Sequence, residues 1–123
     1  MSKQPIEANP RIIYSIMASR KIVLITGGNS GLGYEAVKAF FQCQKPYHVI
    51  MSSRSLEKGE VAVDKLREEC PNASNKLDLI QLDLASDESI DRAFAQVQSQ
   101  VGYIDALINN AGTFTWKSLR MTV

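Results

Sequence analysis

The residues best suited to chemistry sit in one short run, Thr26-Gly27-Gly28-Asn29-Ser30-Gly31-Leu32-Gly33, where glycine fills four of eight positions. Glycine lets a backbone turn sharply and lets a ligand approach main-chain amides closely, because no Cβ intervenes. If the run links a strand to a helix, the unpaired amides and dipole at the helix start attract phosphate, and Asn29 and Ser30 add polar groups beside them. The run is not a triphosphate loop. Gly33 is followed by Tyr34, not by the lysine and hydroxyl residue that would hold phosphates and magnesium. A dinucleotide is the ligand this spacing favours.

A second polar group follows at Ser53-Arg54-Ser55, about twenty residues beyond Gly33, where an acidic side chain normally holds the adenosine ribose hydroxyls. No carboxylate occupies that position. Arg54 is suited to charge-assisted hydrogen bonds with a 2′-phosphate, Ser53 or Ser55 adding weaker contacts. The pattern therefore favours NADP, with NAD as the alternative cofactor. The competing reading of Arg54 is an exposed residue that merely opens a helix. Tyr34 and Lys38 share a Tyr-x-x-x-Lys spacing but lie just past the phosphate turn, badly placed for a carbonyl opposite the nicotinamide. They read as a surface pair. His48 has neither a nucleophile nor an acidic orienter at the same edge, so packing or solvent exposure is expected of it. Asp83 and Asp105 make no metal site.

These groups must be positioned by regular elements. Ile22-Val23-Leu24-Ile25 reads as a buried strand ended by Thr26 and the glycines, and Ala36, Val37, Phe40 and Phe41 recur at helical spacing before Pro46. Val49-Ile50-Met51 is a second strand. Ser55 is placed to cap a helix with Leu56, Ala62, Val63, Leu66 and Cys70 in the core, stopped by Pro71. Leu77, Leu79, Ile80 and Leu82 form a third strand with Asp78 early and Asp83 at its end. Ser86 caps a third helix with Asp87 and Glu88 at its positive end and Ile90, Ala93, Phe94, Val97 and Val101 on its apolar face, and Gly102 closes it. Ile104, Ala106, Leu107 and Ile108 supply a fourth strand running into Asn109-Asn110-Ala111-Gly112. Four strands alternating with three helices imply an α/β fold with right-handed crossovers and a parallel sheet. The glycine turn, Ser53-Arg54, Asp83 and residues 109–112 then share the carboxyl edge, where such sheets bind ligands.

The 123 residues suit one domain. Apolar residues at 45% and charged residues at 22% exclude a disordered or fibrous chain. A net charge of +1 with dispersed lysines and arginines disfavours nucleic acid. Cys43 and Cys70 suggest reduced thiols, not a disulfide or metal framework. Charges interrupt the first twenty residues, unlike a secretory signal, and no run reaches membrane length, so a cytoplasmic location is expected. Residues 1–19 read as an extension of uncertain role, 20–112 as a partial dinucleotide-binding domain, and 113–123 as an irregular tail.

Taken together, the motifs resemble the short-chain dehydrogenase/reductase family, in particular the amino-terminal half of a classical member. The resemblance covers Lys21 to Gly112. Thr26, Gly27, Gly31 and Gly33 meet its Thr-Gly-x-x-x-Gly-x-Gly pattern, and Asn109 to Gly112 reproduce its Asn-Asn-Ala-Gly pattern. It implies a partial Rossmann fold with strand order 3-2-1-4. It also implies that Gly27, Asn29, Ser30, Gly31, Leu32 and Gly33 surround the pyrophosphate and that Asp83 and Leu84 flank adenine. Asn110, Ala111 and Gly112 would approach the ribose, while Asn109 braces the loop. The family's proton-transfer serine and Tyr-x-x-x-Lys pair lie beyond a fifth strand, and no corresponding segment is present. A truncated NADP-dependent oxidoreductase is therefore expected, with no catalytic residues and no turnover of its own. The alternative is a dinucleotide-binding or partner-associating fragment, whose incomplete sheet edge recruits a second copy or a missing half.

Overall fold

A computed structural model describes residues 20–110. The predicted extension over 1–19, the site residues Ala111 and Gly112, and the tail over 113–123 lie outside the described residues. Seven elements alternate along the described chain: β1 (Lys21–Thr26), α1 (Gly31–Phe41), β2 (Tyr47–Ser53), α2 (Leu56–Glu69), β3 (Lys76–Gln81), α3 (Asp87–Gln100) and β4 (Ala106–Asn109). The strands are parallel, in the order β3-β2-β1-β4. This is the expected partial Rossmann arrangement.

Parallel strands covered on both faces must be apolar on both faces, which is why β1 and β2 read as continuous apolar runs instead of alternating. Val23, Ile25, Val49, Met51 and Leu77 meet Val37 and Phe41 of α1 and Ala62 and Leu66 of α2 in one core. Ile22, Leu24, Ile50 and Ile80 meet Ala93 and Val97 of α3 in a second core on the opposite face. Ser55 Oγ accepts from the Lys58 amide at 3.2 Å, and Ser86 Oγ accepts from the Ser89 amide at 3.2 Å, so both expected caps form. Gly102, at φ 80°, follows the end of α3 in the left-handed turn expected of it.

Two expected core contacts are not made. Leu56 is 43% exposed, because the first residue of α2 reaches the outer side of β3, where no further strand lies among the described residues. Phe94 is 44% exposed, because Ser89, Ala93 and Val97 form the buried row of α3 and leave the next position on its flank. Strand boundaries also shift. Leu82 lies just past β3 and Ile104 just before β4, although both are buried.

Two polar side chains organise the amino edge of the sheet. Asn75, almost fully buried, accepts from the Tyr47 amide at 3.0 Å and donates to the carbonyls of Phe40, Cys43 and Lys45 at 2.8, 3.0 and 3.0 Å. One amide group thus satisfies the irregular link between α1 and β2. Asp105 holds β1 from the other side: its carboxylate accepts from the Ile22 amide at 2.7 Å, and its own amide donates to the Ile22 carbonyl at 2.7 Å. Both devices align strands whose carboxyl ends carry the polar residues considered next.

Candidate functional site

The register brings the strand ends level. Thr26 pairs with Asn109, and Ser53 with Gln81. Between β1 and α1 the chain turns through Gly27 at φ 63° and enters the helix through Gly31 at φ 60°, a backbone region costly for residues with a side chain. The turn is tied to its neighbours. The Gly28 amide donates to the Ser52 carbonyl at 2.9 Å, Thr26 Oγ1 donates to Asn109 Oδ1 at 2.9 Å, and the Asn110 amide donates to Thr26 Oγ1 at 3.0 Å.

A cleft of about 420 Å³ opens at this edge, lined by Gly27, Asn29 and Ser30 on one side, Ser53, Arg54, Ser55 and Lys58 on another, and Leu82, Asp83, Leu84 and Ala85 below. Seven of the predicted site residues are therefore gathered: Gly27, Asn29, Ser30, Ser53, Arg54, Asp83 and Leu84. Gly31 and Leu32 line an adjoining groove between α1 and α2, which shares Asn29, Ser30 and Lys58 with the cleft. Gly33 and Asn110 line neither. A Cβ on Gly33 would run into the Gly27 carbonyl and lie 2.6 Å from Asn110 Nδ2, so this glycine seats the helix against the turn. Of the cleft residues, Lys58, Leu82 and Ala85 were not singled out from the sequence as ligand contacts, whereas Ser55 was offered beside Ser53 as a weaker one. Lys58 had a signal available, since it lies one helical turn after Arg54.

The donors and acceptors of the cleft suit a phosphate-bearing dinucleotide. Whereas α2 and α3 have side-chain caps, Ser30 makes no capping bond, which leaves first-turn amides of α1 unclaimed by its hydroxyl. Open space lies where a Gly31 side chain would be. Ser53 is 1% exposed, and its Oγ has no hydrogen-bond partner among the described residues. The Arg54 guanidinium and the Lys58 ammonium form no ion pair among the described residues. Asp83 is fixed by its own turn: Oδ1 accepts from the Ala85 amide at 3.0 Å, and its amide donates to Ser89 Oγ at 2.8 Å.

Three discounted residues have firmer surroundings than expected. Tyr34 and Lys38 are not a surface pair. The Tyr34 ring is buried, and its hydroxyl donates to Glu69 of α2, which also receives Lys38 at 3.6 Å. Lys65 sits over the Tyr34 ring, 5.0 Å from its centre. Burial first, and then the bond to Glu69, push the phenol well above its ordinary value, the reverse of what a proton-transfer tyrosine needs. The bond from Tyr34 holds Glu69 below the usual carboxylate range. His48 is likewise not alone, since its Nε2 lies 2.6 Å from Asp78 Oδ2. That pair occupies the start of β2 and β3, at the edge opposite the cleft. Among the described residues no group of acidic, histidine and cysteine side chains is arranged to hold a metal.

Residues 21–122 match the family described as short chain dehydrogenase. The chain belongs to that family. The short-chain dehydrogenase/reductase tropE of Talaromyces stipitatus is 44% identical over 97 residues, which make up 79% of this chain and 36% of the relative. The menthone neomenthol reductase structure from Mentha piperita superposes with a TM-score of 0.70 at 28% identity, covering 77% of this chain and 32% of that one. The L-sorbose reductase of Gluconobacter frateurii, complexed with NADPH and L-sorbose, gives 0.65 at 29% identity, covering 77% and 34%. The chain thus spans about a third of the length of the short-chain dehydrogenases it matches.

Two outcomes follow from this geometry. Gly33→Ala should destabilise the fold by about 2–3 kcal/mol, because the backbone it would strike cannot swing aside like a side-chain tip. Denaturant unfolding checks this, and an unchanged midpoint contradicts it. The Tyr34–Glu69 bond should shape the stability profile at both ends of the pH scale. The phenol's folded value is raised, so its contribution is complete below about pH 10 and is lost as pH rises through that folded value. Glu69 runs the other way, with its contribution present above about pH 4.3 and lost as pH falls through its lowered value. Tyr34→Phe should be less stable at neutral pH and should lack the alkaline decline, so unfolding curves of the two proteins that stay parallel from roughly pH 7 to 11 would rule the coupling out.

Proposed function

We propose that residues 20–112 form the NADP-binding part of a short-chain oxidoreductase. NADP(H) carries the hydride, and the substrate of the whole enzyme is a carbonyl compound or the matching alcohol. The observation that carries the cofactor choice is Arg54 in the cleft wall beside Ser53, neither side chain having an ion-pair or hydrogen-bond partner among the described residues, at a strand end without the carboxylate that a ribose diol would use. In this reading Gly27, Asn29, Ser30, Gly31, Leu32 and Gly33 surround the pyrophosphate at the start of α1. Asp83 and Leu84 border adenine, and Asn110, with Ala111 and Gly112, approaches the ribose. The NADPH-bound L-sorbose reductase supports the preference as a relative of the same fold.

The 123 residues alone do not turn over substrate. Their only Tyr-x-x-x-Lys spacing is Tyr34 to Lys38, whose phenol is buried and bound to Glu69, and no second such pair is present to move a proton. Free Cys43 and Cys70 accord with a reducing compartment such as the cytoplasm. Association is a second reading favoured by β4, which pairs only with β1 among the described residues and leaves Leu107 and Ile108 half-buried at the end of the sheet. A second copy or a complementary half would fit there.

Calorimetric titration of the purified chain with NADP and NAD tests the main reading. Arg54→Asp should weaken NADP by at least about tenfold and leave NAD nearly unchanged, whereas equal weakening of both removes the assigned 2′-phosphate contact. NADP-dependent carbonyl reduction by the chain alone would overturn the claim that it lacks turnover. Light scattering during the titration separates a monomeric binder from a self-associating one.

A further inference from the structure

We infer that the amino edge of the sheet carries a second ligand site, separate from the cofactor cleft, in which Arg20 and Lys76 bind a small organic carboxylate. The face of the sheet that α3 covers changes character there. Ile22 pairs with His48, and His48 with Lys76, and residues paired across parallel strands point to the same side. Ile22 packs in the core under Ala93 and Val97 of α3, so His48 and Lys76 lie on that side as well. The next row, Leu24 and Ile50 with Asp78 at the outer strand, is apolar except at its end. Helix α3 stops at Gln100, and the chain then turns through Gly102, so the first row extends past the cover that the helix provides.

A cavity of about 410 Å³ opens at that point, with Arg20, His48 and Lys76 on the strand side, Gln100 and Tyr103 on the helix side, and Ile22 and Val101 between them. No carboxylate lines it. Asp78, the nearest acid in the register, lies 2.6 Å from His48 Nε2 and 3.9 Å from Lys76 Nζ, and the Asp105 carboxylate is held by the Ile22 amide. A guanidinium has five N–H donors. Among the described residues that of Arg20 makes one bond, from Nη2 to the Ser74 carbonyl at 3.3 Å, and its buried Nε has no partner. A purely structural role would be to complement the carbonyl end of α3, whose last turn holds no basic residue. Among the described residues, however, neither Arg20 nor Lys76 bonds a carbonyl of that helix.

The mixture of groups selects the ligand. A planar fork of donors matches the two oxygens of a carboxylate, and a lysine beside it adds charge without demanding a geometry. Gln100 and the Tyr103 hydroxyl supply further polar contacts. Ile22, Val101 and the half-exposed Tyr103 ring offer apolar surface to a carbon body, which an inorganic ion would leave unused. An aliphatic or aromatic acid therefore fits better than phosphate or chloride. The cavity and the glycine turn are at opposite ends of β1, a strand of six residues, so roughly 20 Å separates them. An acid bound at the amino edge leaves the cofactor cleft free.

Titration of the full chain with benzoate, followed by the NMR shifts of its backbone amides, tests the site. Benzoate should move the amides of Lys76, Gln100, Val101 and Tyr103 and leave Gly27 to Gly33 in place, with a dissociation constant on the order of 1 mM. Benzamide, of the same shape without the charge, should bind at least about tenfold more weakly. Arg20→Gln and Lys76→Met should each weaken benzoate by about three- to tenfold while keeping the amide spectrum of the folded chain. Benzamide binding as well as benzoate overturns the inference even if neither variant folds. So do inorganic phosphate moving the same amides as strongly, benzoate shifts confined to the glycine turn, and benzoate binding that both substitutions leave unchanged. A chain that binds benzoate at the amino edge but no NADP removes the cofactor reading alone, and one that binds NADP but no benzoate removes this inference alone.

Discussion

The contact between α1 and the turn that precedes it governs the rest of the carboxyl edge. Gly33 is pressed against the Gly27 carbonyl and the Asn110 amide group so closely that no side chain fits. At the same place Thr26 Oγ1 donates to Asn109 and accepts from the Asn110 amide. The glycine turn, the start of the helix and the end of β4 are thus one packed unit. Such a unit can hold amides in a fixed direction before any ligand arrives, and fixed donors lose little freedom when they bind. A looser turn with the same composition would have to order itself at the cost of affinity.

The division of labour between the two sheet edges follows from the same economy of groups. At the amino edge Asn75 satisfies the link into β2, Asp105 clamps β1, and His48 is closed by Asp78, while Arg20 Nε is left without a partner among the described residues. At the carboxyl edge α1 has no side-chain cap, and among the described residues the Ser53 hydroxyl has no partner and Arg54 and Lys58 form no ion pair. Buried polar groups without partners are uncommon in native proteins, and two of the three among the described residues, the hydroxyls of Ser52 and Ser53, lie at the carboxyl end of β2. Position in the topology alone would point to the same end. The chemistry of the residues agrees with it independently.

Element order and sheet order were legible because each strand is a short apolar run bounded by turn residues and each helix keeps its apolar period. Gly27 and Gly31 were legible because few other residues tolerate their backbone, and the two serine caps because their spacing to the apolar run is fixed by helix geometry. The failures have a common cause. Tyr34 was read as exposed from its neighbours in sequence, but its burial is decided by Glu69 and Lys65 on α2, thirty-five and thirty-one positions away. Asn75, which joins four backbone groups, has no periodic signal at all. Leu56 and Phe94 fit the apolar rows of their helices yet fall where no described neighbour covers them. Periodicity reports which side of an element is apolar, not how far the opposing surface extends.

Gly59 shows how a weak local preference becomes informative once a structure is available. In the sequence, a glycine inside a helix is ordinary, since propensity effects are small and tertiary contacts routinely override them. What changes its meaning is its surroundings: a Cβ at this position would come within 2.7 and 2.9 Å of the Leu79 methyl groups and 3.1 Å of Ser53 Cβ, so the missing side chain lets the first turn of α2 lie against the ends of β2 and β3. That contact also sets where Ser53, Arg54 and Lys58 stand along the cleft. The polar residues of the cleft are therefore placed by apolar packing behind them, as the turn after β1 is placed by Gly33.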